Sequence, residues 1–431
     1  MDTLSFNSKP PAIMHIDLNS CFATIEQQAN PHLRGKPIAV AAYTTPSGCI
    51  LAPSIEAKKH GIKTGMRVKD ARVLYPNLIV LPPDPWKYRS VHLALRRILS
   101  DYTNDFVPKS IDEFVLNLAD MPCLRPLKVP PYTYKVTLSP IWVAAKEIKA
   151  RIRKEIGDWL TVSVGIAPNR FLAKVASGLR KPDGLDEINI TNFRDVYLKL
   201  KLTDLPYIKF HNAARLGNFG IYTVIDFYQS PLWKLKAAFE SINGYYWYLR
   251  LRGWEIDDVE FGRKSYGNSY ALPKPFVEFS DLAPILTKLV TKTSTRLRGA
   301  HYLARGVHVA VAYRDGGFWH KGVTFPKDLF DFQEIYKKAY RILTASPYKK
   351  PVRELAVSVF NLRSLDSVQL ELFDDVDKKR KLNEAVDSVN ERWGNFVITP
   401  ARMMTAQDAV PDRIAFGGIK ELEEFTIDVT K

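Results

Sequence analysis

Three carboxylates carry the chemical interest of this 431-residue chain. Asp112 and Glu113 stand side by side in "KSIDEFVLNL", an otherwise apolar run, and Asp17 closes the short apolar strand "AIMHIDL". On a regular strand, neighbouring side chains point to opposite faces. One member of the Asp112–Glu113 pair would then be driven into a core, where an unpaired charge is costly. The end of a strand is a usual place for a metal-binding carboxylate in an α/β domain, although a lone Asp there serves more often as a helix cap or turn residue. Three carboxylates from two strand ends can together hold two divalent cations. Such two-metal sites stabilise both the attacking and the leaving oxygen of phosphoryl transfer. No His or Cys cluster competes for the role, which favours Mg2+ over zinc. "SIDE" follows Pro108 and Lys109, so a turn or strand start is expected there, and both side chains can turn toward the same ion pair.

The elements that must position these groups alternate. "AIMHIDL" reads as a strand, and "NSCFATIEQQAN" as the start of a helix capped by Asn19 or Ser20. "KPIAVAAY" and "NLIVLPP" are strands, and "SIEAKKHG" is a helix stopped by Gly61. "WKYRSVHLALRRILSDYTND" and "IWVAAKEIKARIRKEIG" carry helical spacing, and strand "LTVSVGIAP" precedes helix "NRFLAKVASGLRK". This alternation to about residue 185 argues for an α/β domain. Residues 190–255 read as short helices with turn signals. From about 262, "GVHVAVAYRD" and "ELAVSVFNL" alternate with period two, each preceded by a helical segment, which predicts a compact α+β module. A charged helix, "DKKRKLNEAVDSVNERW", opens the tail.

Lys and Arg (62) exceed Asp and Glu (46), giving a net charge of +16, which points to a polyanionic partner. The surplus is concentrated in the α+β module, where basic residues outnumber acidic ones roughly two to one. Cys21, Cys49 and Cys123 are far apart and show no CxxC spacing, so neither a disulfide framework nor a zinc site is expected and a reducing cytosol fits. No signal-peptide pattern opens the chain and nowhere do 18 apolar residues run together, so neither secretion nor a membrane span is expected.

"HIDLNSCFATIEQQANPHLRGKPIAV", "SIEAKKHGIKTGM", "SIDE" and "VSVGIAPNRFLAKVASGLRKPDG" stand in the order and rough spacing of the Y-family DNA polymerases. The chain resembles the translesion members of that family, most closely its polymerase IV branch and the bacterial type. The resemblance covers the first 185 or so residues and continues more weakly through "LGNFGIYTVIDF" and "KSYG". It implies a multidomain α/β and α+β chain built as a right-hand polymerase. The palm would comprise residues 1–30 and 76–185, small fingers 31–75, a helical thumb 186–256, an α+β little finger 262–371 and a tail 372–431.

The same resemblance implies roles for individual residues. Asp17, Asp112 and Glu113 fall on the catalytic metal-binding carboxylates, and the carbonyl of Leu18 on the backbone metal ligand, for two Mg2+ ions. Phe22 falls on the aromatic steric gate that leaves no room for a 2′-hydroxyl. Without the motif it reads as a core residue of its helix. Lys181 and Lys58 fall on triphosphate-contacting positions. Lys58 replaces the arginine usual in "YEARK", and a compact ammonium lacks the bidentate fork of a guanidinium. Ile55 replaces the tyrosine of that motif and loses a hydroxyl contact, so nucleotide affinity is expected to suffer more than catalysis. Asn19 replaces an aspartate that is not usually a ligand. The thumb is expected to carry a degenerate helix-hairpin-helix, because "LPYIKFHNAARLGNFGI" offers Tyr207, Ile208, Lys209 and Phe210 in place of "PGIG".

"QLELF", Gln369 to Phe373, has the form of the bacterial sliding-clamp peptide, with Gln369, Leu370, Leu372 and Phe373 as candidate contacts. The competing reading buries Leu370 and Leu372 in an adjoining strand. The expected activity is template-directed, low-fidelity DNA synthesis across damaged templates by a cytoplasmic monomer that binds primer-template DNA and dNTP. The rival is a non-catalytic scaffold that binds DNA and clamp with a polymerase fold, but such relatives lose the three carboxylates kept here.

Overall fold

Period-two geometry decides what β1 (Ile13–Leu18) does with its side chains. Met14, Ile16 and Leu18 enter a buried cluster with α4 (Pro85–Ser100) and α5 (Pro140–Arg151), through Leu95, Ile98, Ala144 and Ile148. Ile13, His15 and Asp17 are left for the opposite face. The computed structural model describes residues 4–119, 139–259, 262–365, 376–394, 396–406 and 408–410. Two compact units contain them, Met1–Val259 and Glu260–Asp412.

In the first unit β1 is the central strand of a sheet ordered β5-β6-β1-β7-β8. Its members are β5 (Phe106–Pro108), β6 (Glu113–Asn117), β7 (Val162–Ala167) and β8 (Leu185–Glu187). Strands and helices alternate along the chain as the sequence suggests, yet β1 pairs antiparallel with both β6 and β7, and only β7 and β8 run parallel. A second sheet, β3 (Ile50–Pro53), β2 (Ile38–Ala41) and β4 (Ile79–Leu81), carries α2 (Ile55–Lys59) and α3 (Val68–Leu74) around Ala39, Ile50, Ile62 and Val68.

The cap expected for α1 (Cys21–Ala29) is not formed. Ser20 occupies the N-cap position in a left-handed conformation (φ 50°), and its side chain makes no capping hydrogen bond. Asn19 is occupied elsewhere. Its amide donates to Thr161 Oγ1 at 3.2 Å and its carbonyl oxygen accepts from Ser163 Oγ at 2.9 Å, tying the end of β1 to β7.

On the far side of the main sheet, α6 (Arg170–Leu179) covers Ile13 and Val115. Phe171, Leu172 and Val175 of α6 share one buried cluster with Leu216, Val224, Phe227 and Trp247. Those residues belong to the short helices α8 (Phe210–Gly217), α9 (Val224–Gln229) and α11 (Asn243–Arg250), and Tyr197 of α7 (Phe193–Lys199) and Leu235 of α10 (Leu232–Phe239) join the same cluster, so the helical segment has no core separate from α6. Cys21 is buried and Cys49 exposed, both as free thiols, while Cys123 lies outside the described residues.

In the second unit, β9 (Ser265–Phe276), β10 (Tyr302–Tyr313), β11 (Phe318–Leu329) and β12 (Val352–Ser364) form an antiparallel sheet ordered β11-β10-β12-β9. The alternating Val307, Val309, Val311 and Leu355, Val357, Val359 pack against α12 (Phe279–Gly299) and α13 (Phe332–Thr344). The charged helix expected in the tail forms as α14 (Val376–Trp393), and its Asp387 accepts two 2.7 Å hydrogen bonds from Arg298 of α12. Among the described residues no helix is long and apolar enough to cross a membrane.

Gly165 of β7 is what lets α6 approach the sheet, since a Cβ there would lie 2.0 Å from the Ala173 carbonyl oxygen and 2.2 Å from the Ser177 nitrogen. Both obstacles are backbone, which cannot swing aside. Gly165→Ala should therefore destabilise the first unit by about 3 kcal/mol or more. Gly178→Ala, inside α6 and facing open space, should stabilise it by about 0.5–1 kcal/mol. Calorimetric melting of the two variants checks the opposite signs.

Candidate active site

The antiparallel register sets Asp17 of β1 directly opposite Glu113, the first residue of β6. Asp112 precedes that strand in a bend, so the alternation that would bury it does not apply. The bend is held from both ends: the Leu18 N–H donates to the Asp112 carbonyl at 2.9 Å, and the Lys109 N–H to the Glu113 carbonyl at 2.8 Å. Ser110 Oγ donates to Asp112 Oδ1 at 2.5 Å. All three carboxylates thus converge on one end of the sheet.

Two ammonium groups reach them from the same stretch of chain. Lys174 on α6 lies 2.5 Å from Glu113 Oε2, and Lys181, just past the end of α6, lies 2.5 Å from Asp17 Oδ2. His15, two residues before Asp17 on the same face, sits 3.9 Å from Glu113 Oε2. Neither of its ring nitrogens has a hydrogen-bond partner among the described residues. Sequence reasoning missed both His15 and Lys174. The i, i+2 relation of His15 to Asp17 on a strand was the available signal for the first. For the second it was the seven-residue step from Lys174 to Lys181, about two helical turns.

Burial governs the charges. It pushes Asp17 up to about 6, against the pull of Lys181, and raises Asp112 against the hydrogen bond from Ser110. It pushes His15 down to about 3, so the imidazole is neutral near pH 7. Burial would also raise Glu113, but the neighbouring His15 and Lys174 outweigh it and hold that carboxyl below its usual range. With His15 neutral, the cation facing Glu113 at neutral pH is Lys174. The oxygen-rich donor set, with His15, Asp17 and Glu113 able to offer atoms within 4.8 Å of one another, suits a divalent cation.

A cavity of about 490 Å³ lies on one side of the carboxylates, lined by Asp17, Leu18 and Asp112. Phe22, Ile55, Lys58 and Lys181 also line it, so two of the three carboxylates meet there with the residues singled out for the sugar and the triphosphate. Ser54 caps α2 by accepting from the Ala57 N–H at 3.2 Å, which fixes the turn that presents Ile55 and Lys58. Phe22 is only 2% exposed, with its ring stacked on Tyr88 at 4.3 Å. A wider cavity of about 910 Å³ takes in the other side, with Asp112, Glu113, His15, Lys174 and Tyr207 on its walls. Asp112 lines both.

In the helical segment Tyr207 is exposed and has φ 68°, a left-handed conformation that glycine adopts far more readily. Ile208 is fully buried beside it, and Lys209 stands at the N-cap of α8. Gln369, Leu370, Leu372 and Phe373 lie outside the described residues.

Comparison with known proteins gives one answer. Residues 16–178 match the profile of the impB/mucB/samB family and residues 263–372 that of the impB/mucB/samB family C-terminal domain. DNA polymerase IV of Pelotomaculum thermopropionicum is 30% identical over 410 residues, covering 93% of this chain and 97% of that protein. DNA polymerase IV 1 of Bacillus subtilis is also 30% identical over 410 residues, covering 93% and 95%. Among solved structures, the Y-family DNA polymerase chimera Dbh-Dpo4(243-245)-Dbh superposes with a TM-score of 0.69 at 25% identity, over 81% of this chain and 98% of that one. An insertion ternary complex of Dbh DNA polymerase shares the fold with a TM-score of 0.54 at 24% identity, over the same shares of the two chains.

If Asp17 takes a divalent cation, its raised pKa has a measurable outcome, because proton and cation would compete for the same oxygens. Below pH 6 Asp17 is protonated, so apparent Mn2+ affinity should rise by up to about tenfold per pH unit toward pH 6 and level off above it. Titration calorimetry from pH 5 to 8 reads this directly. Asp17→Asn should flatten the rising limb.

Proposed function

This chain belongs to the impB/mucB/samB family, the Y-family DNA polymerases, and is a DNA-directed DNA polymerase of the polymerase IV type; we propose that it adds deoxynucleotides to a primer 3′ end by two-metal phosphoryl transfer at Asp17, Asp112 and Glu113. The observation that carries this reading is the convergence of the three carboxylates at one sheet end, between two cavities. Two divalent cations, Mg2+ by the hardness of the oxygen ligands, fit Asp17, Asp112, Glu113 and the Leu18 carbonyl. When bound they supply charge neutralisation for the triphosphate and a lowered pKa for the attacking hydroxyl.

The chain's own residues do the rest. Lys58 and Lys181, facing the smaller cavity, bind and orient the triphosphate of the incoming dNTP. Phe22, on the wall of that cavity, excludes the 2′-hydroxyl of a ribonucleotide. The primer terminus enters from the larger cavity, so its 3′-oxygen meets the α-phosphorus beside Asp112, which borders both spaces. That oxygen gives up its proton to solvent and bonds the α-phosphorus as the α–β phosphoanhydride bond breaks and pyrophosphate leaves on the far side. Tyr207, holding the left-handed backbone that a glycine would otherwise supply, keeps the thumb hairpin in shape without "PGIG".

The basic second unit, the little finger, grips duplex phosphates without reading sequence. The family match supports low-fidelity copying past damaged bases, and the setting proposed for it is a cytoplasmic monomer acting on primer-template DNA. "QLELF" serves as a sliding-clamp peptide through Gln369, Leu370, Leu372 and Phe373. The three retained carboxylates, each lining a cavity and two of them paired with an ammonium, favour the enzyme over a non-catalytic scaffold.

Primer extension tests the central reading. Mg2+-dependent extension by the wild type should fall at least about a thousandfold in Asp112→Asn, roughly 4 kcal/mol of transition-state stabilisation. Failure of the wild type to extend a primer with Mg2+ would end the enzyme reading. For the clamp peptide, Phe373→Ala should weaken binding to a bacterial sliding clamp about tenfold or more in surface plasmon resonance while leaving unassisted extension unchanged.

A further inference from the structure

Phe22 does not stand alone beneath the nucleotide cavity. Residue 26 follows residue 22 by one helical turn, so Phe22 and Glu26 share a face of α1. One side chain spans both of them. The Tyr88 ring of α4 stacks on Phe22, with centroids 4.3 Å apart and planes 13° from parallel, while its hydroxyl donates to Glu26 Oε1 at 2.8 Å. The second Glu26 oxygen accepts from Lys87 Nζ at 2.6 Å. Lys87 is anchored in turn at the start of α4, where its backbone N–H donates to Asp84 Oδ1 at 3.2 Å and its ammonium lies 3.5 Å from Asp84 Oδ2.

A carboxylate that is 8% exposed is costly unless both oxygens are satisfied, and here they are. The arrangement fixes the phenol lengthwise along α1, because sliding the ring would break the bond to Glu26. It also closes the space behind Phe22, since Tyr88 is only 1% exposed. The floor that Phe22 offers to a nucleotide sugar is therefore set from α4. A shift of about 1 Å in that floor is enough to change how a hydroxyl-sized group fits.

We propose that Glu26 and Tyr88 are positioning residues for sugar selection, holding the Phe22 ring at the height that rejects a ribonucleotide. This inference rests on the reading of Phe22 as the sugar gate. It differs from plain core packing in one respect: loosening the core would slow every nucleotide alike, whereas lowering the floor would favour ribonucleotides alone.

Single-nucleotide insertion by the full chain, with each dNTP and its rNTP, separates the possibilities. The variants are Phe22→Ala, Tyr88→Leu, Tyr88→Phe and Glu26→Gln, each checked for folding by thermal melting. Tyr88→Leu should cut the dNTP-over-rNTP ratio of kcat/KM by about tenfold or more, chiefly through a lower KM for the rNTP. Tyr88→Phe and Glu26→Gln, which keep the side-chain shape, should each cut it about threefold, with dNTP kcat/KM held within about twofold. These two carry the test if the leucine variant does not fold. An unchanged ratio in the folded variants, or an equal loss for both sugars, overturns the proposal. If Phe22→Ala also leaves the ratio unchanged, the gate reading itself has failed; if it alone relaxes the ratio, the gate stands without its support.

Discussion

Asp17 and Glu113 face each other across an antiparallel strand pair, and like charges in that relation repel. Everything around the site answers this repulsion. Lys181 meets one carboxylate and Lys174 the other, each at 2.5 Å, and both come from α6 or the turn just beyond it. The helix must therefore lie close over β7, and β7 must be a neighbour of β1. Ser110 and the bend at residues 109–112 bring in the third carboxylate without spending a strand position on it. A sheet end that would be unstable by charge alone becomes an ordered cluster that can hold cations.

The two faces of β1 divide the labour. Met14, Ile16 and Leu18 supply cohesion with α4 and α5, and the intervening His15 and Asp17 join Glu113 in the polar cluster. The same division recurs on α1. Phe22 lines the smaller cavity, whereas one turn later Glu26 is given over to Tyr88 and Lys87. Chemistry and support sit on the same short elements, which is why the region tolerates no loose packing.

Much of this was legible in the sequence, for identifiable reasons. Strand "AIMHIDL" ending in Asp17, the bend at "SIDE" and the helix "NRFLAKVASGLRK" each carry a local signal strong enough to place them. The antiparallel run of β6, β1 and β7 was not legible, because alternation of strands and helices fixes element types and not their direction. The partners of the carboxylates were hidden for a related reason: Lys174 is 61 residues from Glu113, and only the packing of α6 on the sheet brings them together. Ser20 misled because a good capping residue type stands at the N-cap in a conformation that turns its hydroxyl away, while Asn19 is held by Thr161 and Ser163.

The close approach at Gly165 bears on descent. Where helix and strand are kept apart by side chains, their spacing drifts as those side chains are exchanged over evolutionary time. Here the Ala173 carbonyl and the Ser177 nitrogen pass so near Gly165 that backbone meets backbone, and the spacing is set by atoms every residue shares. Side chains elsewhere in the core can then be exchanged without moving Lys174 away from Glu113. A single residue without a side chain can thus act as a ruler for the spacing of the elements around it.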